Sequence, residues 1–354
     1  MARWTGILLL GIPAAFFARR GGGPEWAVFA GAALALVPLA LLIQVATEHV
    51  AEHLGEGLGG LVNATFGNAA ELIITLVALK EGLPELVKAS LVGSILSNTL
   101  LGLGLAAVVG GLRHGTQRFH LEFVRRAAAM MILAVSALAL PAVFAHAERS
   151  PFLQEEVSVG IAVLLLLTYA AYIGFSHFSR AGRRAAEENR AAPPRAAARK
   201  ASWGLGRAFA VLAGAVVATA GASELLVGAV EPVSRSIGLS PFFVGLVVIP
   251  IVGNIAEYYS AVQFARQGRM ELSFAIAASS SIQVAVFVAP CLVLASLFLH
   301  PMTLIFRPME LVALLASCAI FAYVSLDGET DWLEGVQLLA LYLICAVTFF
   351  FVPR

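Results

Sequence analysis

The near absence of polar breaks limits this chain more than any other feature. Apolar runs follow one another from the first residues to the last, and one long polar linker interrupts them, the Arg/Ala-rich "SRAGRRAAEENRAAPPRAAARKAS" at 179–202. A membrane span needs about 20 mostly apolar residues. Eleven runs qualify, at roughly 4–19, 26–47, 58–80, 85–111, 123–146, 155–178, 204–230, 239–265, 270–299, 303–326 and 332–353. With no water in lipid to bond an open backbone, each is expected to be a helix. Composition agrees: the chain is 60% hydrophobic and 13% charged, where soluble domains carry about 25% charged residues. The expectation is an all-α integral membrane protein.

The opening "MARWTGILLLGIPAAFFARRGGG" reads as a short first span rather than a cleaved signal, because more membrane follows it. The linker then divides the remaining runs into five and five. Residues 1–25 are an extra N-terminal helix, 26–178 a first five-helix repeat, 179–203 the linker, and 204–354 a second repeat. With the N-terminus in the cytoplasm, fifteen of the 23 Lys and Arg fall inside, the linker among them. That predicts a multi-pass protein with its C-terminus outside, and the compact loops point to the plasma (inner) membrane. The net charge of +1 gives no argument for nucleic acid. Cys291, Cys318 and Cys345 lie inside apolar runs and suit neither a disulfide framework nor a zinc site.

The two halves share a gap-free pattern. "GNAAE" at 67–71 and "GNIAE" at 253–257 are 186 residues apart. The same offset aligns Glu85 with Glu271 and "GSILS" with "SSSIQ". Five helices per unit is odd, so the second unit must enter the membrane from the opposite side. Such inverted repeats are the plan of many secondary transporters, with a site near the midplane where the repeats meet.

Glu71 and Glu257 fall deep within their runs. A charged side chain at the bilayer centre costs about 3 kcal/mol or more, so such residues face protein or water and are usually functional. Asn68 and Asn254 stand three residues before them, on the same helix face. Gly67, Gly253 and Pro250 loosen the helix ladder, freeing carbonyl oxygens. In the following helices Ser94, Ser97 and Asn98 form one polar face, and Ser279, Ser280 and Gln283 the matching one. These are hard oxygen donors with two carboxylates, which suits a divalent cation. Calcium takes 6–8 oxygens in flexible geometry, while magnesium resists dehydration, so calcium is favoured. One divalent ion or two protons would neutralise the pair. Empty and doubly ionised, the site would be held back by its desolvation cost. That logic predicts obligatory exchange of a divalent cation for protons.

The stretches "NATFGNAAELIITLVAL", "GSILSNTLLGLG", "VGNIAEYYSAV" and "SSSIQVAVFVAP" resemble the calcium/proton antiporters of the cation/calcium exchanger superfamily. The resemblance covers about residues 40–350. It implies one extra helix plus two inverted five-helix repeats, with Glu71 and Glu257 binding calcium and carrying protons, Asn68 and Asn254 beside them, and no resident cofactor. Related sodium/calcium exchangers carry a Pro before the site Glu and further acidic groups. Here Ala70 and Ala256 precede the acids, and Gln283 stands where a further acid could be.

"ATE" at 46–48 has a partner, "ASE" at 222–224. Glu48 and Glu224 are therefore expected as entrance carboxylates or proton relays on opposite sides. His49 and His53, at i and i+4, offer a metal pair, or simply a solvated helix extension. Glu85 and Glu271 open their helices, where negative charge suits the N-terminus. Other readings stay open: a sodium/calcium or manganese/proton exchanger, a passive channel, and a membrane-embedded hydrolase. A hydrolase would want Arg or Lys beside the acids, and neither motif core has one. Expected partners are Ca2+, H+ and the lipid bilayer. Oligomeric state is left open, with a homo-oligomer as one possibility.

Overall fold

The computed structural model describes residues 8–178, 203–324 and 326–352, with a few side chains inside helices not described. The linker at 179–202 and the first seven residues lie outside the described residues, as do the expectations that rest on them. The chain is helical nearly throughout. Helix α1 is Gly11–Arg20, and α2 runs Glu25–Phe66 with a kink at Gly55. Then come α3 (Ala69–Lys80), α4 (Pro84–His114), α5 (Leu121–Ala147) and α6 (Pro151–Phe178). Beyond the linker are α7 (Leu205–Ile237), α8 (Pro241–Gly253), α9 (Ile255–Arg266), α10 (Met270–Ser296), α11 (Pro308–Val324) and α12 (Trp332–Phe350). Two residue pairs, Gln117↔Thr330 and Arg118↔Glu329, join antiparallel to tie the loop before α5 to the loop before α12.

The expected spans are present but not as eleven uninterrupted helices. Among the described residues seven helices are long and apolar enough to cross a membrane, or eight if the bent pair α8–α9 counts as one. The second run does not stop at 47 but stays helical to Gly55, where φ is +76°, a left-handed backbone natural to glycine. The run at 58–80 breaks at Gly67–Asn68, and the run at 239–265 bends by 54° between α8 and α9. The run at 303–326 begins its helix only at Pro308. In each case a Gly, Asn or Pro leaves the ladder short of a bond that an unbroken helix would need.

The 186-residue offset extends to the backbone. Asn68 (φ −105°, ψ 26°) and Asn254 (φ −96°, ψ 11°) make the same break, and α3 and α9 then run 12 residues each. Gly82 and Gly268 turn the chain at φ +72°. Leu83 and Arg269 precede the next helix at almost identical angles, −112°/55° and −111°/54°. Both following helices carry a π-helical turn, Ser97–Gly102 in α4 and Val284–Val288 in α10. The two helices run antiparallel. His114, at the end of α4, touches the turn that opens α10, and His300, just past α10, touches the turn that opens α4.

Small residues let the halves approach, as they do in membrane interfaces generally. A side chain at Gly93 of α4 would meet the Leu246 carbonyl oxygen of α8 at 2.0 Å, and one at Gly245 would meet Leu86 Cδ1 at 2.7 Å. Nearer one end, Phe274 stacks between Phe119 (5.2 Å) and Phe321 (4.8 Å).

Candidate functional site

Glu71 and Glu257 do not lie mid-helix as an unbroken reading places them. Each sits in the first turn of a new helix that starts at the Asn break. The unpaired N–H groups of that turn give each carboxylate the positive end of a helix dipole. A break of this kind is tolerated at membrane depth only where protein or water lines it.

The amides and hydroxyls beside the acids form one chain of hydrogen bonds. Asn68 Nδ2 donates to Gln283 Oε1 (2.5 Å), and Ser280 Oγ donates to Asn68 Oδ1 (3.0 Å). Asn98 Nδ2 donates to Ser280 Oγ (2.9 Å) and to Asn254 Oδ1 (3.3 Å). Asn254 Nδ2 reaches Ser94 Oγ (3.3 Å) and the Pro250 carbonyl (3.0 Å). Followed from Gln283 to Ser94, every side-chain link passes from one half to the other. The 186-residue offset recurs inside it: Asn68 bonds Ser280, and its counterpart Asn254 bonds Ser94, the counterpart of Ser280. Asn98 breaks the symmetry, because Val284 stands at its matching position.

The acids border this chain. A side chain at Gly253 would lie 3.5 Å from Glu71 Cγ and 3.8 Å from its Oε1, so the Glu71 carboxyl rests against the second motif's backbone. One at Gly67 would lie 3.6 Å from Gln283 Oε1. Glu71 is 5% exposed, Asn68 2%, Asn98 1% and Asn254 0%. At this site three buried oxygens have no hydrogen-bond partner among the described residues: Glu71 Oε1, Glu257 Oε2 and Asn98 Oδ1. An unmet buried acceptor costs about 1–3 kcal/mol, more if charged; a proton or a cation would relieve either carboxyl oxygen, and a donor or a cation the Asn98 amide oxygen. No Lys or Arg pairs with either acid among the described residues.

Not every expected residue joins. Ser97 Oγ bonds the Ser94 carbonyl (3.2 Å) of its own helix and meets the Tyr258 hydroxyl of the other half, while Ser279 Oγ bonds the Ile276 carbonyl (3.3 Å) within its own helix. Ser279 also lines an apolar cavity of about 260 Å³ with Ala127, Tyr172 and Phe264. Glu48 and Glu224 are exposed and take no part in the chain. Glu48 accepts from Gln44 Nε2 (3.5 Å), and Glu224 pairs with Lys80 (3.4 Å) at the end of α3. The His49 and His53 rings each bond a backbone carbonyl through Nδ1 at 2.8 Å, and His49 stacks on Trp203 at 4.6 Å. Glu85 pairs with Lys88 and with Arg307 (3.3 Å), and Glu271 with His120 (2.8 Å).

Sequence reading missed Gly93, Gly245 and Tyr258. The spacing Ala89–Gly93–Ser97, small residues every fourth position, is the signal for Gly93. Tyr258 packs its ring on Gly102, where a side chain would meet it at 2.7 Å, and its hydroxyl lies 3.5 Å from the Pro250 carbonyl.

The sequence model of the family described as "Sodium/calcium exchanger protein" matches residues 24–178 and 207–351. The chain belongs to this family. Among curated exchangers it is similar to the Ca(2+)/H(+) antiporter of Synechocystis sp., 41% identical over 360 residues that cover 98% of this chain and 97% of that one. It is similar also to the Ca(2+)/H(+) antiporter ChaA of Bacillus subtilis, 36% identical with 97% of each chain covered. The solved structure of native YfkE superposes with a TM-score of 0.84 at 35% identity, over 98% of this chain and all of that one. The solved structure of the H+/Ca2+ exchanger CAX shares the fold, at a TM-score of 0.71 and 16% identity.

Proposed function

We propose that this exchanger-family protein is a secondary active transporter that trades Ca2+ for H+ by alternating access. In this reading Glu71 and Glu257 bind one Ca2+ or protons, never neither for long. Asn68, Asn98, Asn254, Ser94, Ser280 and Gln283 supply neutral oxygens, with Gly67 and Gly253 giving backbone access. The carrying observation is the hydrogen-bond chain whose side-chain links all cross between halves, bordered by two carboxyls with unmet buried oxygens. A site shared by two halves is opened or closed by moving one half against the other. Full-length similarity to proteins named Ca(2+)/H(+) antiporters favours protons over sodium as the counter-ion. We place the N-terminus and the linker on the cytoplasmic side, from the Lys/Arg bias.

Everted membrane vesicles test the reading. An imposed pH gradient should drive 45Ca uptake that a protonophore abolishes, and an equal sodium gradient should drive none. Uptake that follows sodium instead would assign the sodium/calcium reading, and uptake indifferent to both gradients would mean a channel. Manganese competition in the same assay ranks the two cations.

Asn98→Val puts into the first half the residue that the second half carries. It should weaken calcium affinity at least about tenfold, the equivalent of about 1.4 kcal/mol, with folding retained. Unchanged half-saturation would remove Asn98 from the ligand set. Glu48 and Glu224 act in this proposal as entrance carboxylates. Their Gln variants should raise the calcium concentration for half-maximal flux and shift its pH profile. If both parameters stay put, the entrance role is wrong.

A further inference from the structure

Two histidines outside the site repeat the same packing at the two ends of the molecule. His114 Nε2 lies 3.0 Å from the carbonyl oxygen of Arg266, the last residue of α9. His300 Nδ1 lies 3.1 Å from the carbonyl oxygen of Leu79, in the last turn of α3. The two histidines are themselves 186 residues apart. Each ring also covers the turn glycine. A side chain at Gly268 would meet His114 at 3.7 Å, and one at Gly82 would meet His300 at 3.3 Å. Helices α3 and α9 begin with Glu71 and Glu257 in their first turns. Each acid-bearing helix is thus held at its far end by a histidine of the other half.

The two contacts lie on opposite faces. The Gly82 turn opens α4 and His114 closes it, and α4 is 31 residues long. At 1.5 Å per residue that separates them by roughly 45 Å.

Histidine suits such a grip. It is the side chain whose ordinary charge change falls between about pH 5 and 8. Protonation turns its N–H···O=C bond into a charge-assisted one and sets a cation on the negative end of the helix dipole. Charged groups on the elements around His114 are Arg113 on its own helix, Arg118, which pairs with Glu329, Asp331 and Glu334 where α12 begins, Arg266 and Arg269 at the turn, and Glu271, which His120 holds. Around His300 they are Lys80, which pairs with Glu224, then Glu81, Glu85, which Lys88 and Arg307 hold, and Glu155 and Glu156 of α6, which share a cavity lining with Leu297.

We propose that His114 and His300 are positioning residues: each clamps the end of the opposite half's acid-bearing helix, and grips harder when protonated, so that pH tunes exchange separately at each face. This rests on the exchange reading above. His114→Gln and His300→Gln keep an N–H donor but cannot titrate. Calcium flux would be measured in everted and right-side-out vesicles, with pH varied on one side at a time. Each variant should lose about threefold or more of the pH response between about pH 6 and 7.5, on one face only, and on opposite faces for the two. Wild-type profiles on both faces, or loss on the same face in both variants, would overturn the proposal.

Hydrogen exchange on the purified protein gives a readout independent of transport. Corrected for intrinsic rates, amides of residues 81–83 should be better protected at acid pH in wild type and lose that gain in His300→Gln alone. Amides of 267–269 should behave likewise in His114→Gln. Protection that ignores pH, or survives the matching variant, would also overturn it. Vesicles that show no proton-driven uptake at all would sink the exchange reading instead, leaving the hydrogen-exchange result to decide the clamp.

Discussion

Glu71→Gln and Glu257→Gln should each cut proton-driven calcium uptake by at least about 100-fold, a loss of about 2.8 kcal/mol or more at 1.4 kcal/mol per tenfold. A divalent ion held by one carboxylate in low dielectric keeps an uncompensated charge, and such a charge is expensive to bury. The remaining acid can carry only one proton, so the neutral return state differs in charge from the loaded state. Gln preserves size, and removing one of two neighbouring buried acids relieves mutual repulsion. The melting temperature of the purified variants should therefore stay level or rise. Calcium binding by wild type should weaken as pH falls, because protons and the metal compete for the same oxygens. A variant that melts normally yet moves calcium within twofold of wild type would remove that acid from the mechanism. Both acids surviving substitution would sink the proposed function.

The second large effect concerns packing. Gly93 lets α4 lie directly on α8, where a side chain would strike the Leu246 carbonyl oxygen at 2.0 Å and Pro250 Cγ at 2.6 Å. Backbone cannot rotate aside as a side-chain tip can. Gly93→Ala should destabilise by about 1–3 kcal/mol, the usual cost of overpacking, and lower the melting temperature by about 1–4 °C. Gly93→Leu should yield no monodisperse protein. The strain also falls on the segment that presents Pro250 and Asn254, so the Ala variant should lose calcium affinity as well as stability. Gly160 of α6 has open space around it. Gly160→Ala is the control, and should be neutral or gain about 0.5–1 kcal/mol from helix propensity. Equal melting of the Gly93→Ala and Gly160→Ala proteins would mean that the contact relaxes freely.

Much of this was legible in the residues because lipid permits so few solutions. Twenty apolar residues in a row must be helix, and buried Glu and Asn at matching positions of two halves must face each other or water. The spacing of 186 and the polar faces at Ser94–Asn98 and Ser280–Gln283 needed no coordinates. Glu48 and Glu224 show the limit of the same reasoning. A short motif match places two acids at matching points of the two halves, on opposite sides, but says nothing of the Lys80 that pairs with one of them.

The sequence by itself determined the helical class, the doubled plan and the pair of acids, since these follow from hydrophobicity and period, which are properties of residues one at a time or in short runs. Tertiary structure alone decided that both acid helices start at a break, that Asn68 bonds Ser280 while Asn254 bonds Ser94, and that Asn98 joins the two sets. It alone decided that His114 and His300 seat on turns 152 and 221 positions away in the chain. Those pairings depend on how closely two backbones approach. That distance is set where small residues such as Gly93 happen to meet a partner, and local sequence does not record the partner.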